Sequence, residues 1–236
     1  MRAISLVALN LFVFTTAACG GGGDECTVDT SYDPAIAAAS FATDVTNPLF
    51  PLVPGTVWIY EGGGERVEVT VTNERKTLLG ISAIVVHDVG SLIDGGDVIE
   101  DTFDYYAQDL DGNVWYMGED TKELENGQIV STEGSWEAGV DGAKPGILIP
   151  ATPIIGQPYR QEYLACEAED FGKVAALDQS VTDQTGTHDG CLQTLDTTPL
   201  EPDVQEHKFY CPGVGLALTI DLNTNTREEL ISQSAP

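Results

Sequence analysis

Turn signals recur along most of this chain at intervals of roughly 8 to 15 residues, with no helical period between them. That rhythm limits the fold to an antiparallel sandwich or barrel, because βαβ units would need helical stretches between strands. TVWIYEG (56–62) and RVEVTVTNE (66–74) read as a hairpin, and in the second arm Val67, Val69 and Val71 alternate with Arg66, Glu68 and Thr70. AIVVHDVGSLI, VIEDTFDYYAQD, VWYMGE and QIVSTEGSW follow, separated by DGGD (94–97), DLDGN (109–113) and ENG (125–127). A Gly- and Pro-rich stretch from Gly139 to Pro158 reads as loose connection. YRQEYLAC, KVAALDQSVT, CLQTLDT, VQEHKFYC, LALTIDL and TREELIS then read as further strands. EAEDFGKVAAL (167–177) is ambiguous and opens with a possible helical turn.

The N-terminus has a different character. Arg2 precedes an apolar run from Ala3 to Phe14, about 12 residues long, which is signal-peptide length and short of the roughly 20 needed to span a bilayer. Thr16-Ala17-Ala18 would suit an ordinary signal peptidase. The same stretch, ending at Cys19, resembles a bacterial lipobox, with Thr16 where leucine is usual. The chain has five cysteines, and an exported chain with an odd number keeps one thiol over. Lipidation of Cys19 removes it and leaves Cys26, Cys166, Cys191 and Cys211 for two disulfides in an oxidising compartment. Cys191 and Cys211 sit at matching ends of a hairpin whose register would centre near Glu201, so they are expected to pair, leaving Cys26 for Cys166. Residues 1–18 are thus expected to be a signal peptide. Residues 19–46 would be a lipidated, Gly-rich tether with a short helix from Asp33, and 47–236 one β-domain. Gly20 after the lipid-bearing cysteine resembles cargo sorted to the outer membrane.

Asp and Glu number 38 against 10 Lys and Arg, giving a net charge of −28. Nucleic acid and anionic headgroups would be repelled, so the expected membrane contact is the lipid itself. With 42% hydrophobic residues the chain has material for a core despite its charge.

NPLFPLVPGTVWIYEG (47–62) resembles the opening of bacterial exported proteins and lipoproteins of unknown function, roughly "PL-x-pGxxWxYe" before a hairpin. EDTFDYYAQDLDGNVWYMGED and STEGSWEAGVDGAKPGI look like the same group. The resemblance implies a lipocalin-like or clam-like antiparallel barrel, here of about 10–12 strands, and brings no catalytic residues.

Signatures of common catalytic sites are missing: no G-x-S-x-G, H-E-x-x-H, P-loop or C-x-x-C occurs. Asp109, Asp111 and Asn113 place side-chain oxygens at alternate positions, as calcium loops do, with Asp120 at the twelfth position. Val114 stands where the EF-hand needs glycine, and Asp-Gly-Asn is equally a hairpin turn. A second cluster contains Glu162, Glu167, Glu169, Asp170, Glu201, Asp203, Glu206 and His207. Of these, Glu162, Glu167, Asp170, Glu206 and His207 could form a cation site or an acid–base pair. The strand aromatics Tyr105, Tyr106, Trp115, Tyr116, Trp136, Tyr159 and Tyr163 could line a barrel mouth for a small ligand. The leading expectation is therefore a membrane-anchored binding or scaffold domain for a small apolar or cationic ligand. The alternative is a cation-dependent hydrolase.

Overall fold

Val67 and Val69, with their alternating charged neighbours, set the first register: β1 (Val57–Gly62) pairs antiparallel with β2 (Glu65–Leu78), so that Trp58 lies opposite Val69 and Tyr60 opposite Val67. Directly paired residues share a face, and this inward face continues around the sheet. The structure, a computed structural model, describes residues 28–235. Cys19, Cys26, the signal segment and the glycine tether lie outside the described residues.

Further strands follow in the order β3 (Ile81–Leu92), β4 (Val98–Gln108), β5 (Val114–Glu125), β6 (Gln128–Ser131), β7 (Trp136–Glu137) and β8 (Lys144–Ile149). After these come β9 (Pro158–Arg160), β10 (Glu162–Tyr163), β11 (Phe171–Asp183), β12 (Gly186–Thr197), β13 (Gln205–Cys211), β14 (Gly215–Asp221) and β15 (Arg227–Ser234). Thirteen of them form one antiparallel path, β10-β8-β5-β4-β3-β2-β1-β15-β14-β13-β12-β11-β9, a nearly closed barrel; β6 and β7 also pair with β5. The all-β expectation holds, and the strand number exceeds the expected 10–12.

The two ends of the path, β9 and β10, are neighbours in the chain, separated only by Gln161. One short segment therefore pairs with β11 on one side and β8 on the other, and so closes the seam. Gly146 makes this closure possible. A Cβ there would lie 2.3 Å from the Gln161 carbonyl carbon and 2.4 Å from the Arg160 oxygen. Gly146→Ala is expected to force the seam apart, with a cost of about 2 kcal/mol and a Tm lower by roughly 5 °C. An unchanged Tm in a circular-dichroism melt would mean that the seam tolerates separation.

Two local expectations are corrected. The helix expected from Asp33 is a single 3₁₀ turn, Ala38–Ser40, whose N-cap Ala37 supplies no side-chain hydrogen bond. Asp33 instead forms an ion pair with Lys144 at 3.2 Å. The stretch taken as loose connection contains β8, where Pro145 and Gly146 disguise a strand held by β5 and β10. Proline is tolerated because β8 borders the short β10 rather than a full-length neighbour.

The Cys191–Cys211 disulfide is present, with Cα atoms 4.1 Å apart, next to the Leu192–Tyr210 pair whose register centres on Glu201. Cys166 is also disulfide-bonded.

The barrel interior has two tiers. The floor is apolar: Trp58, Tyr60, Val69, Val86, Tyr106, Leu192, Tyr210 and Leu216 pack together, and Val45, Phe50 and Leu52 plug the end from below. The Trp58 indole N–H donates to the Val214 carbonyl at 2.8 Å and the Tyr60 hydroxyl to that of Leu216 at 2.9 Å, so both aromatics bury without orphaned polar atoms. Phe50 lies edge-on to Tyr106, ring centroids 5.2 Å apart. The upper tier is acidic.

Candidate ligand-binding site

The inward face of β4 reads Glu100, Thr102, Asp104, Tyr106, all buried, because strand alternation carries the phase of the floor aromatic up to the carboxylates. Asp88 on β3 lies opposite Thr102, which lies opposite Thr121 on β5; Asp104 lies opposite Glu119. The facing wall is built in the same way. Thr194 pairs with Lys208, Lys208 with Thr219, Thr219 with Glu228, and Asp196 with Glu206. Among the described residues, eleven Asp and Glu side chains are buried and only two cations, Arg160 and Lys208.

The cations are already engaged. Arg160 lies 3.1 Å from Asp29 and 3.6 Å from Glu169, with its guanidinium over the rings of Tyr163 and Phe171. Lys208 sits 3.5 Å from Glu206 and 3.6 Å from Asp196. Several of the other acids have carboxylate oxygens that receive no hydrogen bond. Both Asp88 oxygens are buried without a hydrogen-bond partner, as are Glu119 Oε2, Asp170 Oδ1 and Glu228 Oε1. Desolvation therefore keeps them protonated well above the ordinary carboxylate range. For Asp88 the neighbouring Glu100, Asp104 and Glu228 add to it, and for Glu119 the neighbours are Glu162, Asp104, Glu100 and Asp170. Burial holds Asp104 at about 7 although it accepts from the Tyr116 hydroxyl at 2.6 Å. It holds Glu162 at about 8 although it accepts from Trp136 Nε1 at 2.8 Å.

Beside the seam, this interior meets a groove of about 580 Å³. Glu119, Trp136 and Ser135 line it together with Asp120, Glu137, Val140, Asp141, Leu164, Ala165 and Glu167. Two lysines border it: Lys76 pairs with Glu137 and lies over the Tyr105 ring, and Lys122 lies 3.0 Å from Asp120.

The residues singled out in sequence are divided by the barrel wall. Glu162, Asp170 and Glu206 are buried inside, and Lys208 acts electrostatically on all three. His207 alternates outward on β13, against Phe209, and partial burial lowers its pKa. Glu167 is exposed on the groove and Asp203 on the turn after β12, with Glu201 half-buried beside it. In the 109–113 turn, Asp109 accepts hydrogen bonds from the Asn113 backbone, the Asn113 amide and Trp115 Nε1, at 2.7–2.8 Å. Asn113 Oδ1 accepts from Ala151 N. Calcium would have to displace these bonds, which already account for the loop as a hairpin turn. Tyr106 stacks on Tyr116 along the inside and Trp136 meets Tyr116 edge-on, while Tyr105 and Trp115 face outward.

Asp88, Asp104, Glu119, Lys208 and Glu228 were not legible as site residues. Their signal lies in parity, since each has the strand phase of a core residue two positions away or directly across.

No protein-family model matches the chain, and no curated protein matches it. A crystal structure described as a "putative lipoprotein" from Parabacteroides distasonis aligns with 80% of this chain and 99% of its own, at 14% identity and a TM-score of 0.43.

Proposed function

We propose that this chain is an exported lipoprotein, held to the outer membrane by a lipid on Cys19, whose barrel binds a small ligand admitted at the seam groove. The groove carries the binding half of this reading: a space of about 580 Å³ lined by Glu119, a buried carboxylate whose Oε2 has no hydrogen-bond partner. Small-ligand sites occupy about 300–1,000 Å³, a range that includes the volume of this groove. The anchoring half is supported by the TTAAC stretch and by the cysteine arithmetic, with Cys166, Cys191 and Cys211 all in disulfides. Pairing Cys166 with Cys26 leaves Cys19 for the lipid.

Cys19→Ala is expected to move the protein from the membrane fraction to the soluble envelope fraction, or to stop its processing. Normal processing with retention in the membrane would refute the anchor. For the binding half, native mass spectrometry of protein purified from its envelope should show a non-covalent adduct that is lost on filling the groove with Val140→Arg. The hydrolase alternative gains no support from the arrangement. His207 and Glu167 are outside the wall that encloses Glu162, Asp170 and Glu206, and the described residues include no group of three metal-binding side chains.

A further inference from the structure

We infer that the seam groove takes an organic amine, its ammonium group against Glu119 and its apolar body along Trp136 and Leu164. This rests on the reading of the groove as a ligand site and specifies the chemistry of its occupant.

Four observations converge on that class. First, Glu119 is only 3% exposed, lines the groove, and has one oxygen with no donor. An ammonium supplies both the missing hydrogen bond and a compensating charge. Second, Asp120, Glu137, Asp141 and Glu167 line the same space; Lys122 and Lys76 pair with the first two, and the net charge of the lining remains negative, which disfavours an anion. Third, Trp136, Val140 and Leu164 give the groove an apolar side that an inorganic ion would leave unused. Fourth, calcium requires six to eight oxygens at about 2.3–2.6 Å, whereas no three acidic or histidine side chains of the described residues are grouped to hold a metal. Dispersed carboxylates around a roomy groove suit a molecule rather than a bare ion.

The environment of Glu119 adds a proton-linked signature. Glu162 from β10, Asp104 and Glu100 from β4 and Asp170 ahead of β11 all face it. Arg160 and Lys208 act on Glu162 behind them. Burial and these neighbours raise the pKa of Glu119, and an ammonium beside it favours its carboxylate. Binding therefore expels a proton, and affinity rises with pH by up to tenfold per unit until the amine itself deprotonates.

The test is calorimetric titration of the purified mature protein with phenethylamine, 3-phenylpropanol, 3-phenylpropionate and CaCl₂ at one ionic strength. Phenethylamine is expected to bind at least about tenfold more tightly than the neutral and anionic analogues. Its affinity should rise severalfold from about pH 6 to about pH 8, with proton release. Glu119→Gln and Val140→Arg should each weaken it at least about tenfold; Val140 is exposed, so its replacement leaves the interior intact. Equal or tighter groove binding of the alcohol, the carboxylate or calcium, lost in Val140→Arg, would overturn the amine class and leave the site standing. Binding of none of the four, or binding indifferent to Val140→Arg, would overturn the site and the amine together.

Discussion

Lowering the pH from about 8 to about 5 is expected to stabilise this protein, raising its Tm by at least roughly 5–10 °C. Asp104 titrates at about 7 and Glu162 at about 8 in the fold, against 3.8 and 4.5 for the free groups. Between those limits the native state holds protons that the unfolded chain has released. Stability therefore falls as pH rises through the window from about 4 to about 8. Each unit traversed by one such group is worth about 1.4 kcal/mol, so Asp104 alone contributes about 3 kcal/mol between pH 5 and pH 7. At roughly 2–4 °C per kcal/mol, the lower bound on the Tm shift follows. Asp88, Glu119, Asp170 and Glu228 are displaced in the same direction.

Surface repulsion from a net charge of −28 would also relax on acidification, but salt screens it. The melt should therefore be repeated in about 1 M NaCl, where the Debye length is about 3 Å and the buried contribution survives. Asp88→Asn is expected to raise the Tm at about pH 8 and to leave it nearly unchanged at about pH 5, since amide and protonated acid are both neutral. A Tm that rises with pH in high salt would show that the interior acids are ionised and solvated.

The balance of these terms bears on function. A native domain has roughly 5–15 kcal/mol of stability in all. Several buried carboxylates forced to ionise would exhaust that margin, so above neutral pH the interior gains from any cation that reaches it. On the proposed reading, the groove lined by Glu119 would be that route.

The parts of this arrangement visible in the sequence were those fixed by local pattern. Val67, Val69 and Val71 set β2, and the spacing of Cys191 and Cys211 set the β12–β13 register. Two features depended on tertiary pairing. Lys144–Ile149 forms a strand because β5 offers Trp115 and Tyr116 as partners to Ile147 and Gly146, which outweighs the local preference of Pro145-Gly146 for a turn. The interior acids were hidden for a different reason. Period-2 alternation of polar and apolar residues normally marks the solvent face, yet on β4 the Glu100-Thr102-Asp104 face turns inward because Tyr106 shares its phase. Composition alone, with 38 acidic residues, offered no way to tell buried from exposed ones.

Lys208→Met is the second substitution with a large expected effect, and its pH dependence separates charge from packing. Lys208 is 4% exposed, and burial alone would lower its pKa; Glu206, Asp196 and Asp170 outweigh that and keep the ammonium charged. In return it offsets the desolvation that raises Glu206. Methionine fills a similar volume without the charge, so at about pH 8 the carboxylates face each other with no cation between them. Removing one partner of a buried ion pair costs about 3–5 kcal/mol, here a Tm lower by roughly 10 °C. Burial raises the pKa values of Glu206 and Asp170, so at about pH 5 they move toward their neutral forms and the wild-type ammonium has fewer charged neighbours in a dry site. The deficit of the variant should shrink there to less than about half, or reverse. Lys208→Met/Glu206→Gln removes one of the stranded charges together with the lysine and should recover at least about 1–2 kcal/mol at the higher pH. Equal Tm losses at both pH values, with no recovery in the double variant, would assign the effect to lost packing around the lysine stem rather than to its charge.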